Sequence, residues 1–155
     1  MSTAWHKRLA RDLGELKASG FVVTDDGGSE TTALDCFCVE LKGPEGTPYH
    51  GFKWRVRFTV GPTYPFASPS VGFVQHILHP NVDWSSGSVC LDALNSKWSP
   101  VFTLKHIMES LLPYLLAYPN PEDPLNRNAA AMLREAPAEY MASAAEQAKR
   151  HGLKI

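Results

Sequence analysis

Apolar residues recur at Trp5, Leu9, Leu13 and Leu16, in steps of four, four and three that fall on one face of a helix. That spacing predicts an amphipathic helix over residues 3–18, with Ser2 or Thr3 able to cap its start and Gly20 suited to its end. Lys7, Arg8, Arg11 and Lys17 fall on the other face with Asp12 and Glu15, which reads as a solvated face or a docking surface. The period then changes to two. Residues 21–24 form a short strand-like run closed by Asp25, Asp26, Gly27 and Gly28, a hairpin-type turn cluster. Residues 34–42 alternate so that Phe37, Val39 and Leu41 share one face and Cys36 and Cys38 the other. Residues 52–60 alternate most cleanly: Phe52, Trp54, Val56, Phe58 and Val60 point one way, Lys53, Arg55 and Arg57 the other. A run over residues 71–74 follows a Pro- and Tyr-rich interruption, and the short connections favour an antiparallel meander.

From Asn81 to Gly87 the residues are polar, small or turn-forming, so residues 79–100 read as a long loop, the kind of segment that carries function. A helix is then predicted from Thr103, because Leu104, Ile107, Met108, Leu111, Leu112, Leu115 and Leu116 make one broad stripe able to lie across the sheet. Pro113 falls inside that stripe and predicts a bend or irregularity. After an extended proline-rich run over residues 118–124, Asn126 caps a short helix through Arg134, and Pro137 opens a last one that stops at Gly152. These two helices are rich in Ala and poor in bulky residues, which predicts loose packing at the side. The fold class expected is therefore a single α+β domain spanning 1–155: an N-terminal helix, a four-stranded antiparallel meander, a long loop, a central helix and two C-terminal helices.

The near-balance of 15 basic and 16 acidic residues argues against a surface dedicated to nucleic acid or anionic membrane, leaving a protein or small molecule as the expected partner. No apolar run approaches a membrane span, and the charged start is unlike a signal peptide, so a cytoplasmic or nuclear location is expected. Three cysteines, two of them at i and i+2, favour thiols in a reducing compartment.

Cys90 ends the long loop rather than filling an apolar stripe, and Ser88 and Asp92 suggest partial exposure. No Arg or His lies within five residues of it in sequence, so a strongly depressed thiol pKa is not expected. Attack on a peptide would need such activation. Exchange with an existing thioester needs much less, because the bond broken resembles the bond made. His76, His79 and Cys90 lack the paired spacings of a zinc site, so no metal is expected. His79, fixed between Leu78 and Pro80, suits a buried structural imidazole better than the base of a Cys/His hydrolase. Neither GPEG nor the Gly27, Gly28 pair leads a helix, so neither makes a phosphate-binding loop.

His79-Pro80-Asn81, then Cys90-Leu91-Asp92, then Trp98-Ser99-Pro100 resemble the active-site signature of ubiquitin-conjugating enzymes. Pro48-Tyr49 with Gly51, Tyr64-Pro65-Phe66 with Pro69, and the run from Pro119 to Asn126 agree in the right order, so the resemblance covers residues 5 to about 151. Within the family, SLLPYLLAYPNPEDPLNRNAAAM is similar to the H-type subfamily, which works with the ligase assembly called GID or CTLH. Members of that subfamily often carry an acidic C-terminal extension. This sequence ends at Ile155 without one, which either counts against the subfamily or implies different ligase contacts.

The resemblance implies that Cys90 accepts ubiquitin from an activating enzyme as a thioester and passes it to a substrate lysine or to a ligase cysteine. No bound cofactor is expected, since ATP is used upstream. Asn81 would donate to the developing oxyanion or brace the loop, with His79 and Pro80 structural beside it. Asp123 would orient the incoming lysine, whose unperturbed pKa of about 10.4 requires it to lose a proton, or assist that loss; the alternative is that Asp123 and Glu122 are solvated turn residues. Lys7, Arg8, Phe66, Ser99 and Pro100 would meet the activating enzyme and the ligase. A ubiquitin-like modifier as cargo, or an inactive binding module of the same fold, are the alternatives; Cys90 counts against the second. The basic row Lys53, Arg55 and Arg57 reads as a solvated face or a weak second contact for ubiquitin or a ligase.

Overall fold

The computed structural model describes residues 3–25, 35–89 and 98–155. Helix α1 (Ala4–Ala18) buries Trp5, Leu9 and Leu16, as the spacing predicts. It ends in a Schellman turn: the N–H of Phe21 reaches Leu16 O and that of Gly20 reaches Lys17 O, with Gly20 at a φ of 93° that only glycine adopts at little cost. At the other end Thr3 occupies the cap position, but its Oγ1 pairs with His6 Nδ1 at 2.6 Å rather than with a backbone N–H.

Strands β1 (Val23–Asp25), β2 (Asp35–Lys42), β3 (Phe52–Val60), β4 (Ser70–Phe73) and β5 (Ser88–Val89) follow one another in an antiparallel sheet, each paired to the next. The expected four-stranded meander is thus present and extended. β5 joins its edge, pairing Val89 with Val71. A strand of the last residues, β6 (Leu153–Lys154), pairs with the start of β3, for six strands among the described residues. Residues 26–34, with the expected turn at Gly27 and Gly28, lie outside the described residues. In β3 the alternation holds from Trp54 on: Trp54, Val56, Phe58 and Val60 are buried and Arg55 and Arg57 exposed, while Phe52 and Lys53 are both half-buried. Phe37 stacks on Phe58 across the β2–β3 pair, with ring centroids 5.3 Å apart. Cys36 and Cys38 alternate with the buried Phe37 and Val39, as the period of two predicts, but the reading of that face as wet is corrected at Cys38, which is buried between its strand partners Thr24 and Arg57; Cys36 is half-buried.

Across the inner face runs one continuous helical segment: α2 (Leu104–His106), a π-helical turn (Ile107–Leu111) and α3 (Leu112–Ala117). The π turn is the irregularity that Pro113 predicts. Proline in an α-helix clashes with the carbonyl four residues back, and the widened turn, closed by the N–H of Leu112 on Ile107 O, relieves it. Leu104, Ile107, Met108, Leu112, Leu115 and Leu116 are all buried against the sheet. Asn126 caps α4 (Arg127–Glu135) by accepting from Ala129 N at 3.0 Å, and Pro137 opens α5 (Pro137–His151).

The expected loose packing of these two helices is corrected as well. Ala129, Ala130, Ala144 and Ala148 are fully buried, the small side chains letting helix backbones approach closely, and Tyr140 joins the same core. At Gly152 a Cβ would come within 2.7 Å of Ala148 O and 3.1 Å of Phe52 Cβ, so glycine is what lets the chain turn down onto β3.

Candidate active site

The polar segment that begins at His79 is held on every side. His79 and Asn81 are fully buried. The backbone N–H of Asn81 donates to His79 Nδ1 at 3.0 Å, which fixes the ring as the tautomer protonated on Nε2; that nitrogen donates to Leu115 O at 2.8 Å. Leu115 offers its carbonyl because the residue four positions on, Pro119, has no N–H to give it. Burial lowers the His79 pKa to about 4, with the Leu115 bond opposing the shift, so the imidazole is neutral at physiological pH. Both ring nitrogens are committed, and in this arrangement His79 is a strut.

Asn81 spends its carboxamide on the loop opposite. Oδ1 accepts from Asn120 N at 2.8 Å, and Nδ2 donates to Asn120 O at 2.7 Å and to Asp123 O at 3.4 Å. Pro80 adds its carbonyl, which accepts from both Leu125 N and Asn126 N at 2.9 Å. Residues 79–81 and 120–126 are therefore zipped together. The Asp123 side chain is exposed at this seam, beside Glu122, whose N–H is held by Asn120 Oδ1 at 3.1 Å.

After Asn81 the chain makes a tight hairpin rather than the long loop that residues 81–87 predict. Val82 bridges Val89, and Asp83 N–H reaches Ser88 O while Asp83 O accepts from Gly87 N. The Asp83 carboxylate accepts from the Ser86 hydroxyl and N–H, which lowers its pKa below the usual range. Gly87, at φ 76°, passes so close to β4 that a Cβ would lie 2.0 Å from Phe73 O. Cys90, which follows β5 directly in sequence, lies outside the described residues with 91–97.

A second group of residues surrounds the start of α1. Phe66 and Val101 are 77% and 79% exposed. Their loops are tied beneath: Trp98 Nε1 donates to Pro65 O at 2.7 Å, and Arg8 donates to both Pro100 O and Phe102 O at 2.9 Å. Arg8 Nε also meets Asp12 at 2.8 Å, and the Tyr64 hydroxyl donates to the same carboxylate. Asp12, which the helical pattern assigns to the polar face, is 1% exposed, so that reading is corrected. Burial, and then the bond to Asp12, raises the Tyr64 pKa well above its usual value. Lys7 and Pro100 are exposed, and Ser99 is half-buried with its hydroxyl 3.4 Å from Val101 N. Sequence reasoning missed Val101, Asp12 and Tyr140; an Arg and an Asp four residues apart are common on a solvated helix face, so nothing in the spacing marks Asp12 as buried. Among the described residues no cluster of three or more His, Cys, Asp or Glu is arranged to hold a metal.

The family described as ubiquitin-conjugating enzyme matches residues 8–148. Ubiquitin-conjugating enzyme E2 5 of Arabidopsis thaliana is 48% identical over 134 residues, covering 84% of this chain and 69% of that protein. Ubiquitin-conjugating enzyme E2-23 kDa of Triticum aestivum is 47% identical over 129 residues, covering 82% and 67%. The E2 domain of a Toxoplasma gondii ubiquitin conjugating enzyme superposes with a TM-score of 0.81 at 29% identity, covering 94% of this chain and 97% of that one. Together with the α+β architecture and the buried His-Pro-Asn seam, these matches mean that the chain belongs to the ubiquitin-conjugating enzymes, which transfer ubiquitin in concert with an activating enzyme and a ligase.

Proposed function

We propose that Cys90 is the residue on which this enzyme carries ubiquitin as a thioester, and that the His79–Asn81 seam shapes the space in which the thioester is discharged. The observation that supports the reading most is the register of the hairpin: Val82, next to Asn81, is bridged to Val89, so the end of β5 lies beside the Asn81 seam, and Cys90 is the next residue in sequence. In this reading the thiolate displaces the thiol of the activating enzyme, and the attacking lysine later displaces the Cys90 sulfur after losing a proton. No bound cofactor takes part.

Asn81 braces residues 120–123 in the resting enzyme. Its longer hydrogen bond, the 3.4 Å one to Asp123 O, is the one that Nδ2–H can redirect to a developing oxyanion as the new acceptor. Asp123 holds the incoming amine at the mouth of the seam. Phe66, with Lys7, Ser99 and Pro100, offers the partner surface, and Arg8 supports it from below. The finer assignment, on the motif from Ser110 to Met132, is to the H-type subfamily and a GID/CTLH ligase, working in the cytoplasm or nucleus.

Incubation with activating enzyme, ATP and ubiquitin should give an adduct that reductant removes and that Cys90→Ala does not form. A reducible adduct persisting in Cys90→Ala would end the assignment. Asn81→Ala should still charge but discharge to free lysine about 100-fold more slowly; discharge at the parent rate would leave Asn81 no oxyanion role. A parallel charging reaction with a ubiquitin-like modifier and its own activating enzyme should give no adduct.

A further inference from the structure

Two buried hydroxyls link α5 to the seam. Tyr49, in the turn between β2 and β3, is fully buried, and its hydroxyl lies 2.6 Å from Leu78 O. A carbonyl oxygen can only accept, so the single phenolic proton of Tyr49 is committed to it. The Tyr140 hydroxyl, 3.0 Å from that of Tyr49 and also buried, must then be the donor in their pair. The chain of donation therefore has one direction: α5 to Tyr49, Tyr49 to the carbonyl of the residue that precedes His79. Serial hydrogen bonds in a low-dielectric interior strengthen one another, so withdrawing the first weakens the second. Tyr49 also packs its ring against His79, with centroids 6.2 Å apart. Burial raises both phenol pKa values, which keeps both protons in place at neutral pH. A phenylalanine at either position would fill nearly the same volume, so the hydroxyls add direction rather than bulk.

We propose that Tyr140, acting through Tyr49 and the Leu78 carbonyl, is a positioning residue that sets the orientation of the His79–Asn81 segment for thioester discharge. The proposal rests on the reading of that segment as the discharge site. It predicts that the loss of one oxygen atom on α5 is felt at Asn81 without any change in how Cys90 is charged.

The test is single-turnover discharge of charged Tyr140→Phe, Tyr49→Phe and the double variant to free lysine, with Asn81→Ala alongside. Tyr140→Phe should charge at the parent rate and discharge about three- to tenfold more slowly, the factor expected of one neutral hydrogen bond. The double variant should be no slower than Tyr49→Phe alone, since Tyr140 works only through Tyr49. In proton NMR the His79 Nε2–H should shift and exchange faster in Tyr140→Phe, a readout that needs neither activity nor the Tyr49 variants. Tyr140→Phe discharging at the parent rate with an unmoved His79 signal would overturn the proposal, as would factors that simply multiply in the double variant. If Asn81→Ala alone discharges normally, the reading of the seam fails; if Asn81→Ala is slow and Tyr140→Phe is not, only the role of Tyr140 does.

Discussion

At the scale of single residues, the seam depends on an imidazole kept neutral. His79 protonates near 6.5 in an unfolded chain and at about 4 when folded. Between those values the unfolded state binds more protons, so folding stability falls as the pH is lowered through this window, by about 3 kcal/mol in total for this group. Ring-carbon NMR should follow a His79 titration with a midpoint near 4 in the native protein; a midpoint near 6.5 would show a solvated ring. That His79 is structural is legible in the sequence, since a ring fixed between Leu78 and Pro80 has little freedom. Asp12 is not legible in the same way. Helical periodicity assigns it to the outer face, and only the fold brings Tyr64, distant in sequence, over its carboxylate.

Elements answer to different constraints. Arg8 joins α1 to the loop at residues 98–102 with one guanidinium that serves Asp12, Pro100 O and Phe102 O together. Arg8→Ala would leave the buried Asp12 carboxylate with only the Tyr64 hydroxyl and Arg11, 3.7 Å away, and should cost about 2–3 kcal/mol, read as a drop of roughly 5–10 °C in melting temperature. Arg8→Lys should recover little of it, because one ammonium cannot span the three acceptors. For β5 the sensitive point is Gly87: Gly87→Ala forces a side chain into left-handed backbone and against Phe73 O, and should destabilise by at least about 2 kcal/mol. Denaturant unfolding checks both. The central helix shows what a sequence conveys about elements. Its stripe and the disturbing Pro113 are plain in the spacing, yet the form of the disturbance, a π turn over Ile107–Leu111 rather than a kink or a break, is not written in any period.

For the whole molecule, local periodicity suffices for the layers, a helix, a meander and a helix across it, because each apolar stripe has one sheet face to cover. Pairings between distant segments are not written in any period. β5 is two residues long and β6 comes from the chain's end, too short for alternation to register. Alanine-rich helices look thin in sequence but are closely packed in space. The exposed pair Phe66 and Val101 belongs to this scale too, since it exists only where two tethered loops meet. Phe66→Ala should leave stability within about 0.5 kcal/mol of the parent while reducing ligase-stimulated discharge about tenfold or more. A large fall in melting temperature would instead assign Phe66 to the core.

Trp84, in the hairpin that precedes Cys90, is flanked by two imidazoles, stacked on His76 at 4.5 Å and edge-on to His151 at 5.6 Å, the latter carried by the last turn of α5. An indole so placed is an optical reporter supplied by the protein itself: imidazole contact damps indole emission, so any event that lifts the end of α5 from the hairpin should brighten Trp84.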